Sequence, residues 1–190
     1  YNASASIDYI PKNRRLDVLD AAQWSEEISF QGVPSSVNHG SDTEWFDLLT
    51  RPGHTQNHTL SFGGGSKNLY YRASLTAILQ NGVVINSDNK RYIGSLQATQ
   101  YALEDRLTLT FNLNSSVNNT TGSPSSIGPV SFQSTPVNLA NIARPTDPVF
   151  DTDGETYFRD PVVFQYINPY AVAESVINEG VNNNLFGSLR

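Results

Sequence analysis

The stretch Leu107-Thr108-Leu109-Thr110-Phe111-Asn112-Leu113-Asn114 limits the possible folds more than any other part of the chain. Large apolar residues alternate with short polar ones, and successive side chains of a pleated strand point to opposite faces. Leu107, Leu109, Phe111 and Leu113 therefore share one face, and Thr108, Thr110 and Asn112 the other. A helix would scatter both sets around its circumference. The pattern predicts a strand with one face in a core, packed against Leu75 and neighbouring strands, and one face in water.

The same period recurs along the chain. Ala3, Ala5, Ile7 and Tyr9 alternate with polar residues until Pro11 stops the run, and Tyr71, Ala73, Leu75, Ala77 and Leu79 share a face within Leu69 to Leu79. Asn81-Gly82 suits a two-residue type I′ turn with Val83-Val84-Ile85 as the returning strand. Further strands are expected at Arg91 to Ala98, Val130 to Val137 and Val162 to Ile167. Asp151-Thr152-Asp153-Gly154-Glu155 reads as a hairpin turn between Pro148-Val149-Phe150 and Thr156-Tyr157-Phe158. Asp20 to Glu27 reads as a short helix, with Asp20 capping Gln23 and Gln23 reaching back, before Ile28 to Phe30 returns to extended chain.

Two segments stay open. Ser41-Asp42-Thr43-Glu44 has capping-box spacing, yet Trp45 to Leu48 could equally be a strand. Asn168, Pro169 and Gly180 spell a helix with its cap and stop, while Val172, Val176, Ile177 and Val181 also suit strands. Asn114 to Pro129, nearly all Ser, Asn, Thr, Gly and Pro, reads as an exposed loop. The expected fold is mostly β: an antiparallel, jelly-roll-like β-sandwich with one or two short helices. Residues 1–12 form an N-terminal extended arm ahead of a single domain at 13–190.

Charge narrows the partners. Lys and Arg number 12 against 18 acidic residues, a net charge of −6. No basic stripe exists to neutralise phosphates, so nucleic acid is excluded. Lys12, Arg14 and Arg15 read as a solvated corner. The absence of cysteine excludes thiol redox chemistry and thiolate metal sites. A chain without Met that opens on Tyr1 suggests loss of a signal peptide, and hence an extracellular or cell-surface location. No apolar run approaches the ~20 residues of a membrane-spanning helix.

No catalytic constellation is legible. There is no Gly-x-Ser-x-Gly elbow, and His39, His54 and His58 read as surface-loop histidines rather than metal ligands. Asp151, Asp153, Glu155 and Asp160 carry the oxygens a calcium ion takes, which makes calcium the one cofactor candidate. An Asp-Gly turn explains most of them without a metal. Gly63-Gly64-Gly65 reads as a flexible turn. Sequons begin at Asn2, Asn57, Asn114, Asn118 and Asn119, three of them in the expected loop. Tyr70, Tyr71, Tyr92, Tyr101, Tyr157, Tyr166 and Tyr170 could line a sugar-stacking face, although tyrosine also suits half-buried strands.

Four segments carry a family resemblance: Ile93-Gly94-Ser95-Leu96, Leu107 to Phe111, the Asp151 to Gly154 turn, and Glu179-Gly180-Val181-Asn182-Asn183-Asn184-Leu185-Phe186-Gly187. Over residues 92–187 their order resembles the choice-of-anchor K family of secreted bacterial surface domains, which often accompany PEP-CTERM sorting tails. The resemblance implies an extracellular β-sandwich with strands near the C-terminus and carries over no catalytic residues.

The functional expectation is a secreted, non-enzymatic structural protein of a cell-surface layer, matrix or filament. Its expected partner is itself: Ala3, Ala5, Ile7 and Tyr9 would form an assembly strand lying in a neighbouring subunit. The alternative is a carbohydrate-binding module that uses exposed tyrosines on glycans.

Overall fold

The structure, a computed structural model, describes residues 1–122, 135–163, 167–176 and 178–190. The fold is mostly β and antiparallel, as the alternation predicts. Six strands form one open sheet: β1 Asn2–Asp8, β2 Gly53–Gly65, β3 Leu69–Asn81, β4 Asp88–Ala102, β5 Leu107–Gly122 and β6 Asn178–Leu189. They lie side by side in sequence order, each antiparallel to the next. Among the described residues four α-helices accompany them, more than the one or two helices expected: α1 Ala21–Phe30, α2 Trp45–Leu49, α3 Pro136–Ile142 and α4 Pro169–Ser175.

The two ends of the sheet differ. At one end β2 and β3 are joined by residues 66–68, and β4 and β5 by residues 103–106. From the other end leave the connections 9–52, 82–87 and 123–177, which carry all four helices. The helices pack on one another, α2 with α3 and α4, and α3 with α4. Neither broad face of the sheet is covered by them.

The core is therefore not where the alternation pointed. Leu107, Leu109 and Phe111 are 38%, 39% and 38% exposed, and Leu75 is 59% exposed. Among the described residues the buried hydrophobic ones are instead Trp45, Leu49, Leu139, Ala140, Val172 and Ala173, all on helices. Alternation requires that the two faces of a strand meet different surroundings; it does not require that the apolar side be a protein interior.

Several local expectations change for the same reason: cross-strand pairing outweighs local composition. The loop expected at Asn114 to Pro129 is strand as far as Gly122, held between Asp88 to Ser95 of β4 and Asn178 to Phe186 of β6; residues 123–129 lie outside the described residues. Gly63-Gly64-Gly65 is not a turn but the end of β2. A Cβ on Gly64 would stand 2.8 Å from the Tyr71 Oη, and one on Gly65 2.7 Å from Tyr70 Cδ1. The glycines seat two tyrosine rings that lie across them, one on each face.

Val83 to Ile85 is not the returning hairpin strand. It turns aside to join the helices, where Thr50 bridges Val84 and the Ile85 amide donates to the Leu49 carbonyl at 2.9 Å. The return strand starts at Asp88.

Helix α1 begins at the Asp20 capping box as read, but continues through Ile28 to Phe30. The first open segment is helix only over Trp45–Leu49, with no side-chain cap from Ser41; the second starts as a helix at Pro169, stops at Ser175 and becomes strand at Asn178. Thr135 caps α3 where a strand was expected over Val130 to Val137, of which 130–134 lie outside the described residues. Val162 and Val163 are not strand, and residues 164–166 of that expected element are also outside them. The 151–155 turn is as expected, closed by the Phe150–Tyr157 bridge.

Candidate functional site

The register sorts the sheet into two faces of opposite character. One carries Leu60 and Phe62 of β2, Leu75 and Leu79 of β3, Leu96 of β4, Leu109, Phe111 and Leu113 of β5, and Leu185 and Leu189 of β6. The other carries Thr59, Ser74, Thr76, Arg91, Ser95, Asn112, Asn114, Ser116, Asn118 and Asn184. Cross-strand hydroxyl pairs run along this polar face, Thr59 to Thr76 at 3.1 Å and Ser74 to Ser95 at 2.7 Å. The side-chain carbonyls of Asn57, Asn89 and Asn118, all on it, are buried without a hydrogen-bond partner among the described residues.

Large apolar side chains this exposed, contiguous over five strands, are unusual for a surface in water. Their extent is informative. From Leu107 to Val117 the apolar face of β5 rises about 34 Å at ~3.4 Å per residue. Strands tilted by about 40° would present that run as a band about 26 Å tall, against the ~25 Å apolar band of a membrane-spanning β-barrel. The unequal ends agree, since such barrels have short turns on one side and long loops on the other. Among the described residues no helix is long and apolar enough to cross a membrane, which has no bearing on strands.

The helical cluster is built around a buried cation. Arg144 donates to Asp147 at 3.1 Å and to Asp160, and all three side chains are buried. Trp45 Nε1 donates to the Arg144 carbonyl at 2.9 Å, and Thr43 donates to the Asp147 carbonyl at 2.6 Å. His39 Nδ1 lies 2.9 Å from Asp147 and its ring meets Phe158 edge-on at 4.8 Å. Burial alone would raise the Asp160 carboxyl. The Arg144 hydrogen bond and the amides of Val163 and Val162 overcome it and hold the group down at about 2. The same exchange keeps Arg144 charged: burial works against its charge, and the two carboxylates outweigh it and raise its pKa. This network fastens three stretches of loop.

The residues expected to carry chemistry do not converge. Asp153 caps its own turn, accepting from the amides of Glu155 and Thr156 at 2.9 Å and from the Thr156 hydroxyl at 2.6 Å, which lowers its pKa. Asp151 accepts from the Thr152 amide and Asp160 is taken by Arg144. Among the described residues no cluster of three metal-binding side chains occurs. His54 and His58 sit on a strand rather than a loop, on the apolar face. Arg15 is no solvated corner: it pairs with Asp47 and covers the Phe46 ring at 4.8 Å.

The tyrosines divide. Tyr71 and Tyr92 stand on the apolar face, Tyr70 and Tyr101 on the polar face, and Tyr157 and Tyr170 in a cluster with Phe150. Tyr166 lies outside the described residues. Of the sequons, Asn57, Asn114, Asn118 and Asn119 lie in paired strands of the sheet and Asn2 opens β1. The arm is a strand of its own sheet, Asn2 opposite Thr59 through Asp8 opposite Gly53. It thus carries Ala3, Ala5 and Ile7 on the apolar face and leaves Tyr9 beyond it.

No protein-family model matches the chain. Over 196 residues, 98% of the chain, it is 30% identical to TonB-dependent receptor P26 of Formosa agariphila, of which it covers 18%. It is 32% identical over 117 residues to TonB-dependent receptor SusC of Bacteroides thetaiotaomicron, across 60% of the chain and 11% of that receptor. It is 35% identical over 94 residues to TonB-dependent receptor P3 of Formosa agariphila, across 48% of the chain and 9% of that receptor. The chain thus spans less than a fifth of the length of these relatives. The likeness to receptors agrees, at that coarse level, with a cell-surface location.

Proposed function

We propose that this chain is a six-stranded stretch of the wall of a TonB-dependent receptor, a β-barrel in the outer membrane, together with the helical loops it carries at one end. The carrying observation is the sheet: an uncovered apolar face of bilayer height backed by a polar face. The likeness to a receptor along 98% of the chain supports the same reading. In a barrel the apolar face meets lipid, the polar face meets the interior, and the unpaired outer edges of β1 and β6 join flanking strands. The role is non-enzymatic.

Free edges also favour the earlier reading in which copies of the chain add strands to one another, with β1 as the donor. Monomeric behaviour of the intact protein in detergent would remove that alternative.

The described chain has no cysteine, so single cysteines report accessibility cleanly. Leu75→Cys in the intact protein should react only with a lipid-soluble maleimide, and Ser74→Cys, one residue back and on the other face, with a water-soluble one. Equal labelling of both by the water-soluble reagent overturns the reading.

A further inference from the structure

Residues 16–50, within the connection 9–52 at the helical end, hold seven acidic residues and no Lys or Arg. Between Arg15 and Asp20, both in extended backbone conformation, Leu16 to Leu19 run without turn or bend. Among the described residues their amides and carbonyls enter no hydrogen bond. Such a stretch is an open edge, to which another extended chain can add as a strand.

That edge borders a groove of about 470 Å³, whose lining also includes Trp24, Phe46 and Ile142. Leu16, Val18 and Ile142 are each more than half exposed there. Only one sign of charge is free in the groove. Asp17, Asp42 and Glu44 line it, and among the described residues their side chains make no hydrogen bond or ion pair. The two cations of the lining are engaged, Arg15 by Asp47 and Arg144 by Asp147 and Asp160. The volume lies within the ~300–1,000 Å³ of ligand sites, and four extended residues span about 13 Å. An open edge, exposed apolar side chains and free carboxylates are together complementary to one kind of occupant.

We propose that this groove binds a short basic peptide, added as a strand along Leu16 to Leu19 with its cations over Asp17, Asp42 and Glu44. The proposal stands on the helical end alone and is independent of the membrane-wall reading. The test uses the intact protein in neutral detergent and a fluorescein-labelled six-residue peptide of alternating lysine and valine, read by fluorescence anisotropy. Two control peptides accompany it: one with glutamate for each lysine, and one N-methylated at alternate amides, which keeps the charge and removes the donors a strand needs.

The expected result is saturable binding of the lysine peptide and none of the glutamate peptide. N-methylation should weaken binding about tenfold, the worth of two backbone hydrogen bonds. Asp17→Asn and Glu44→Gln should each weaken it about two- to fivefold, the worth of one exposed ion pair. Val18→Pro, at an exposed position outside every helix and strand, removes one amide of the edge and should lower affinity with the circular dichroism unchanged. Equal affinity of the N-methylated peptide would reduce the binding to charge attraction and overturn the strand. Equal affinity of the glutamate peptide, no binding at all, or a dimer of the intact protein that the lysine peptide does not displace overturns the site.

Discussion

The sheet and the helical cluster are held together in opposite ways. The cluster follows the rules of a water-soluble core: Leu49 and Ala173 are fully buried, and the charges it encloses are paired. The sheet has no such interior. Its strands satisfy one another's backbones, while Leu75, Leu185 and Leu189 stand 59%, 75% and 71% exposed. On the proposed membrane wall these two patterns correspond to two solvents, water around the cluster and lipid over the apolar face of the sheet.

The largest expected effect tests the cluster alone. Asp160→Ala leaves Arg144 buried with one carboxylate in place of two, and breaking such a pair costs ~3–5 kcal/mol. Trp45, whose indole bonds the Arg144 carbonyl, should lose its buried fluorescence while the β signal in circular dichroism persists. The pH dependence has the same source. The Asp160 carboxyl lies at about 2 in the fold against ~3.9 in an unfolded chain. Its stabilisation is therefore present above ~4 and is lost as pH falls through about 2, on the order of 2–3 kcal/mol in all. The intact protein should show the Trp45 transition in that window and Asp160→Asn should not. Loss of the sheet together with the cluster would show that the two are one cooperative unit.

A smaller effect separates the two faces. Leu113 and Asn114 are adjacent in β5 and point to opposite sides. Arginine on the lipid side near the bilayer midplane costs ~2–4 kcal/mol, and on the interior side little. Urea titration of the protein folded in vesicles should therefore find Leu113→Arg destabilised by that amount and Asn114→Arg nearly unchanged. Equal costs would mean that the apolar face does not meet lipid.

Much of this was legible and some was not. The alternation at Leu107 to Leu113 located β5 and assigned its faces, and the Asp20 capping box placed the start of α1. Alternation is blind to the medium, however. A core and a bilayer ask for the same leucines, so the burial expected of Leu107 and Phe111 did not follow. Strand length was the overlooked signal, because β5 runs Leu107–Gly122, well past the ~5–6 residues usual in a globular sheet. Its second half was hidden by composition: Asn114 to Gly122 has loop residues but lies between two partner strands. The Arg144–Asp160 pair joins loops that no local pattern connects.

The smallest effect is the most direct comparison of the two regions. A phenylalanine truncated in a packed core costs ~3–5 kcal/mol because the cavity left behind cannot collapse. Phe111 stands in a row with Ala98 on one side and Leu189 on the other, and its outer surface is open. On the proposed membrane wall, fluid lipid chains fill the space a truncated ring leaves, so the cavity contribution disappears and only lost transfer and cross-strand contact remain. Phe111→Ala should therefore cost about 1–2 kcal/mol, set by the part of a full Phe burial that the neighbours supply. The measurement is the same urea titration in vesicles. A cost above about 3 kcal/mol, the range of a sealed core, would put Phe111 against protein and return the apolar face of the sheet to a protein interior.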